Sequence, residues 1–442
     1  MKAAYVRGRL ISENISLVQE MVHSMKRQSG RVGSLALKMD MSKAFDRLEC
    51  DFLMQVLKQF GFCDKWCHLI HQCISTTQVE VLLNGSPCQY FHPSRGIRQG
   101  DPFSPYLFII DMESLSRRLA FCEQTKIIPG VKIARRAPKI NHLLFANVCL
   151  LFSKENLDQT RKLLEVIEEF NKFSGQVINF NKSSLYFSNN VRPSACETLA
   201  GILQVSIMDS SEKYLRLPFF IGRDKKIPFY SLVEKIDTRL SMRNSTNLSE
   251  PGRTIMIKHV LNALPVHHMT SFKLPDQTVK KLNSIPGKFW RRKDTNKGAI
   301  ISWSNLSRYK EEGGLGFRDL ECFNKALLSK SAWRLCTRGF DLWFDAMGAK
   351  YYPNGDIFEY TVKDDSSYAW RSISSQIQFI KENNFWNLGN GSLIRIWKDV
   401  WIPGLDSPPE PKTNSRKMYG YLVLTLLLNL KQILLILLLF LG

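Results

Sequence analysis

The stretch LALKMDMSKAFDRLE, residues 35–49, decides the fold. Leu35 to Met41 is apolar around Lys38 and Asp40, which predicts a buried strand ending at a site, and Lys43 to Phe60 continues with helical spacing. A carboxylate at such a strand end either caps the following helix or faces a cleft. Further along, Val79 to Asn84, Gly85-Ser86-Pro87 and Cys88 to His92 read as a hairpin with a central turn. Asp101 to Leu119 reads as a long helix with Pro102 and Pro105 in its first turn, where N–H groups lack intrahelical partners. Leu143 to Phe152 is a second buried strand, or a hairpin bent at Ala146 to Val148. Leu157 to Phe173 is an amphipathic helix closed by Gly175.

The 442 residues carry 61 Lys and Arg against 40 Asp and Glu, a net charge of +21, with 44% apolar residues. That composition excludes a disordered chain and implies two or three domains. The charge excess calls for a polyanionic partner, nucleic acid or an anionic membrane surface. Residues 221–300 hold 16 Lys or Arg against 6 Asp or Glu. Helices expected at Tyr230–Leu240, Arg253–Ala263 and Asp276–Trp290 would there grip a phosphate backbone or present a solvated face. Ten cysteines in a chain of this length, opening on MKAAYVRGRLISEN without a long apolar stretch, suit free thiols in a reducing compartment.

Three segments together, LALKMDMSKAFDRLE (35–49), SRGIRQGDPFSPYLFII (94–110) and HLLFANVCLLF (142–152), resemble motifs A, B and C of the reverse transcriptase of plant non-LTR (LINE-type) retrotransposons. The likeness continues through SGQVINFNKSSLYFS, KYLRLPFFIGRDKK, LSEPGRTIMIKHVLNALP and KEEGGLGFRDLECFNKALLSKSAWRL to FWNLGNGSLIRIWKDVWIPG, about residues 3 to 404. It implies an α+β right-hand polymerase with a mainly helical C-terminal region. Residues 1–190 would be truncated fingers and palm, 191–345 a basic helical thumb, 346–404 a Trp-rich segment, and 405–442 a linker and leucine-rich tail. It also implies a fragment without the family's endonuclease.

The reaction implied is RNA-templated addition of deoxynucleoside triphosphates to a DNA primer 3′ end. It uses two Mg²⁺ ions about 4 Å apart, held by converging carboxylates. By resemblance Asp40 and the Met41 carbonyl would contact metal, Phe45 would screen the sugar 2′-hydroxyl, and Arg9, Arg98, Gln99 and Gly100 would line the nucleotide and template pocket. Lys182 would protonate the leaving pyrophosphate. Tyr214, Leu215 and Arg216 would meet the primer, with Arg216 where the family usually has glycine, a strained choice if that turn needs positive φ.

Motif C departs from the family. Phe-Ala-Asp-Asp is here Phe145-Ala146-Asn147-Val148, so both paired aspartates at 147 and 148 are lost. Asn offers at most a neutral carbonyl and Val nothing, which predicts a loss of activity on the order of 10³-fold or more. A catalytically inert RNA- or hybrid-binding remnant is therefore the alternative function.

Other patterns carry less. Cys63, Cys67 and His71 share one helical stripe but stack along it rather than converge on zinc. Gly313-Gly314-Leu315-Gly316 lacks the Lys-Ser or Lys-Thr of a phosphate loop. Tryptophans at 290, 303, 333, 370, 386, 397 and 401 are core anchors or base-stacking platforms. Tyr421 to Leu441 is leucine-dominated and marginal as a membrane span, leaving a tail-anchored protein as a further alternative to a nuclear or cytoplasmic one.

Overall fold

The structure is a computed structural model that describes residues 4–241, 248–291, 301–337, 339 and 341–384, with isolated positions between 394 and 409. Residues up to Ile373 form one unit and those from Ser374 a second. In the first, α1 (Ile11–Lys26) is buried along most of its length and leads into β1 (Ser34–Asp40). Leu35, Leu37 and Met39 point into the main core, so the alternation of a strand sends Lys38 and Asp40 to the opposite face.

The helix expected over 43–60 is broken into α2 (Ala44–Arg47) and α3 (Cys50–Gln59). Leu48 is extended at φ −59°, ψ 125°, and its carbonyl accepts the N–H of Gly96 at 2.8 Å instead of an intrahelical donor. After α4 (Asp64–Ser75), β2 (Leu82–Leu83) and β3 (Ser86–Pro87) form the hairpin. Its turn is Asn84-Gly85, both with positive φ, so Ser86 and Pro87 belong to the strand rather than to the turn expected there. The next helix, α5 (Ser104–Gln124), starts three residues later than expected. Asp101 bends the chain first: its Oδ1 accepts the N–H of Phe103 and its carbonyl that of Ser104. Pro102 therefore precedes the helix, and Pro105 alone lies in its first turn.

The apolar run 143–152 is a hairpin of β4 (His142–Phe145) and β5 (Val148–Lys154). Then α6 (Leu157–Ser174) starts on an Asn156 side-chain cap and ends at left-handed Gly175. β6 (Ser184–Phe187), α7 (Pro193–Leu203), β7 (Ser206–Ile207) and the short pair β8 (Lys213–Tyr214) and β9 (Leu217–Pro218) follow. The main sheet runs β4-β5-β1-β6-β7, antiparallel except for β6 with β7. Helices α3, α5, α6 and α7 supply the core on the Leu35 face.

Beyond lie α8 (Tyr230–Ser241), α9 (Glu250–Ile255), α10 (Val266–Met269), α11 (Asp276–Arg291), α12 (Trp303–Ser307), α13 (Leu320–Cys336), α14 (Leu342–Tyr351) and α15 (Tyr368–Ser374). The helix expected over 253–263 changes character on the way, from α9 through a π turn at Met256–Val260 to a 3₁₀ turn at Leu261–Ala263. The domain boundary expected at 345 falls inside α14, a continuous helix tied to α1. Trp343 Nε1 donates to Ser16 Oγ at 2.7 Å, and Lys350 Nζ reaches buried Glu20 at 2.8 Å.

The described tryptophans mostly anchor cores. Trp370 stacks on Tyr351 at 4.1 Å and Trp303 on Phe317 at 5.0 Å, whereas Trp333 is half exposed. In the second unit, α16 (Ile377–Glu382) is described, and Arg395 pairs with Asp399 at 2.6 Å. Trp386 and the leucine-rich tail lie outside the described residues. Among the described residues no helix is long and apolar enough to cross a membrane.

Candidate active site

The β1–β5 register sets Asp40 opposite Val148, so both side chains emerge on the same face. Phe145 pairs with Val148 across a two-residue turn, Ala146-Asn147, in which Ala146 adopts φ +49°. This turn lays Asn147 against Asp40: the Asn147 side-chain amide donates to Asp40 Oδ1 at 2.7 Å, and the Asn147 carbonyl accepts the Met41 N–H at 3.1 Å. The segment after α6 closes the other side. Asp40 O accepts the Asn179 N–H at 2.8 Å, and its N–H reaches Ser183 Oγ at 3.2 Å.

These elements frame an open cleft of about 740 Å³. Asp40, Asn147, Val148, Lys182, Leu215 and Arg216 line it, so the residues expected to act together do share one wall system. Lys38, Glu212 and Lys213, none of them expected at the site from sequence, also line it. Lys38 had a signal, since it lies two residues before Asp40 on the same strand face; Glu212 arrives from a distant loop, paired to Lys38, with none. Burial raises the Asp40 carboxyl above its ordinary pKa, while the nearby charges of Lys182 and Lys38 pull it down.

Other expected residues stand elsewhere. Arg9 is not at the cleft; its Nη1 pairs with Asp341 at 2.9 Å, a partner 332 positions away in sequence. Arg98, Gln99 and Gly100 are exposed and outside the cleft lining, although their loop is stitched to the first motif, Ile97 N donating to Phe45 O at 2.9 Å. Gly96 allows that contact, because a Cβ there would sit 2.7 Å from Asp46 O. Phe45 is half-buried, stacked on Phe108 at 5.0 Å. Tyr214, expected against the primer, is instead only 2% exposed, because β8 alternation turns it inward. Leu215 and Arg216 both have positive φ, +48° and +66°, so the turn does demand the conformation that glycine favours. His267 Nε2 lies 2.8 Å from the Leu215 carbonyl and braces it.

Residues 3–217 match the family model described as reverse transcriptase (RNA-dependent DNA polymerase). Those residues form a reverse transcriptase domain. It is similar to a putative ribonuclease H protein of Arabidopsis thaliana, at 32% identity over 42% of this chain and 31% of that protein. An uncharacterized mitochondrial protein of the same plant is 37% identical over 34% of this chain and 99% of its own length. The Pol polyprotein of a type-1 retrotransposable element R2 from Popillia japonica is 27% identical over 38% of this chain and 26% of that protein. The relatives thus set this reverse transcriptase among the non-LTR retroelement kind, with the α+β right-hand polymerase fold. The chain spans about a third or less of the length of the first and third of these relatives.

Reverse transcriptases generally use Mg²⁺, and the cleft of this one does not fit two such ions. Hard cations need several converging oxygens. Here Asp40 is met by an N–H donor of Asn147 and by the Val148 side chain, which has no oxygen. Glu212, the other carboxylate lining the cleft, is engaged by Lys38. Lys182, Lys213 and Arg216 add positive charge that disfavours a further cation.

Proposed function

We propose that this chain carries the palm and thumb of an RNA-directed DNA polymerase of retrotransposon type in a form that holds RNA template and DNA primer but extends the primer poorly or not at all. The observation that carries the reading is the Asn147–Asp40 hydrogen bond at 2.7 Å. Where the family reaction needs negative charge to gather, this cleft has a neutral amide donating to Asp40 and four cationic residues beside two carboxylates. Such a lining suits phosphate, so Lys182, Lys213 and Arg216 bind and orient the nucleic-acid backbone while Asp40 remains structural. Deoxynucleoside triphosphates are the substrate class inherited with the family, and the nucleus or cytoplasm is the compartment that RNA substrate implies.

The test is a titration of labelled RNA–DNA hybrid with the full chain, with Mg²⁺ and with a chelator, followed by dNTP addition. Binding is expected to be salt-dependent and not strengthened by Mg²⁺, with no extension beyond background. Efficient extension, or binding abolished by the chelator, contradicts it.

A further inference from the structure

A second basic cleft lies away from Asp40, between the last turn of α1 and the loop that joins α5 to β4. It has about 550 Å³, and Ser24, Lys132, Arg135, Lys139 and Lys154 are among the residues that line it. Ser24 Oγ donates to Ile133 O at 3.0 Å, fixing the helix to the loop. Residues 125–141 contain five Lys or Arg and no Asp or Glu. Among the described residues no carboxylate forms a salt bridge with Lys132, Arg135, Lys139 or Lys154, and only the charge of Lys139 acts at longer range on a carboxyl, that of Glu123.

Lys154 is the most telling of the four. It is half-buried, its Nζ has only Ser34 Oγ at 3.4 Å, and burial lowers its pKa because no neighbouring anion offsets the lost hydration. An anion in the cleft would supply that missing compensation. β5 connects the two sites: Val148 lines the Asp40 cleft and Lys154 this one, about 20 Å apart along the strand.

From this cluster of cations without salt-bridge partners in a recess we infer a second nucleic-acid site, in which Lys132, Arg135, Lys139 and Lys154 hold the phosphate backbone of a single RNA strand outside the polymerase cleft. RNA as the ligand rests on the function proposed above. A strand can enter a concave recess and present successive phosphates to it, whereas a bilayer surface meets only the exposed rim.

The test is amine acetylation of the full chain with a single-stranded RNA oligonucleotide, read residue by residue by mass spectrometry, with anionic phospholipid vesicles as the second arm. RNA is expected to protect Lys132 and Lys139 several-fold, with protection fading as salt rises. The variant K132Q/R135Q/K139Q should flatten the log–log salt dependence of RNA affinity by about 2, near 0.7 per lost phosphate contact. Protection of Lys182 and Lys213 with Lys132 and Lys139 unchanged overturns the second site and leaves the polymerase reading standing. Protection of none of these lysines overturns both. Protection by vesicles and not by RNA also overturns the inference, assigning the cleft to a membrane surface.

Discussion

The side-chain amide of Asn147 donates to Oδ1 of Asp40 at 2.7 Å, across the mouth of the β1–β5 pair. Two carboxylates at that separation would repel and require a cation between them; an amide and a carboxylate need nothing further. Adding Mg²⁺ is accordingly expected to leave the melting temperature of the chain unchanged. A chain carrying Asn147→Asp and Val148→Asp should be destabilised in chelator and regain about 1.4 kcal/mol at tenfold excess of Mg²⁺ over its dissociation constant. Thermal melts of both proteins with and without Mg²⁺ check this, and an equal response of the two would contradict it.

Arg216 sits at φ +66° in the Tyr214–Leu217 turn, beside Leu215 at +48°. A left-handed conformation costs a non-glycine residue roughly 1–2 kcal/mol. Arg216→Gly should therefore raise stability by about 1 kcal/mol, less than the full strain because glycine also frees the unfolded chain. A urea midpoint that does not rise would show that the turn is not strained there.

Gly175 ends α6 at φ +75°, and a Cβ there would stand 2.4 Å from Arg47 O. Ser174 O accepts the Glu49 N–H at 3.0 Å, so the same spot joins α6 to the segment after Asp40. Gly175→Ala is expected to cost about 2 kcal/mol, from strain and the forced separation. Denaturant unfolding measures it, and a loss below about 0.5 kcal/mol would mean the loop relaxes freely.

How much of this was legible in sequence follows from where each partner lies. β1, the β4–β5 hairpin and α6 announce themselves through apolar runs, an amphipathic helical period and a closing glycine, all local signals. The break at Leu48 was not legible, because the Gly96 N–H that takes its carbonyl comes from another loop. Arg9 and Glu212 failed the same way: their partners, Asp341 and Lys38, are far off in sequence. Motif C was fully legible in composition, but that Asn147 would turn its amide onto Asp40 depends on register and turn geometry.

His268 is 5% exposed beside Phe229, and burial depresses its pKa to about 3 from an ordinary 6.5. The unfolded state then binds a proton that the folded state refuses, so stability is retained above pH 6.5 and lost as the pH falls toward 3. Between pH 6.5 and 5 this linkage amounts to at most about 2 kcal/mol. Unfolding free energies across that window should fall for the natural chain and flatten in His268→Gln. His23, also depressed by burial, acts in the same direction and keeps a residual slope.

Primer extension on an RNA template, comparing the chain as it stands with its Asn147→Asp, Val148→Asp counterpart, tests the central claim most directly. The natural chain is expected to stay at background, and two carboxylates restored opposite Asp40 are expected to raise extension by on the order of 10³-fold. Comparable extension by the unaltered chain would contradict it.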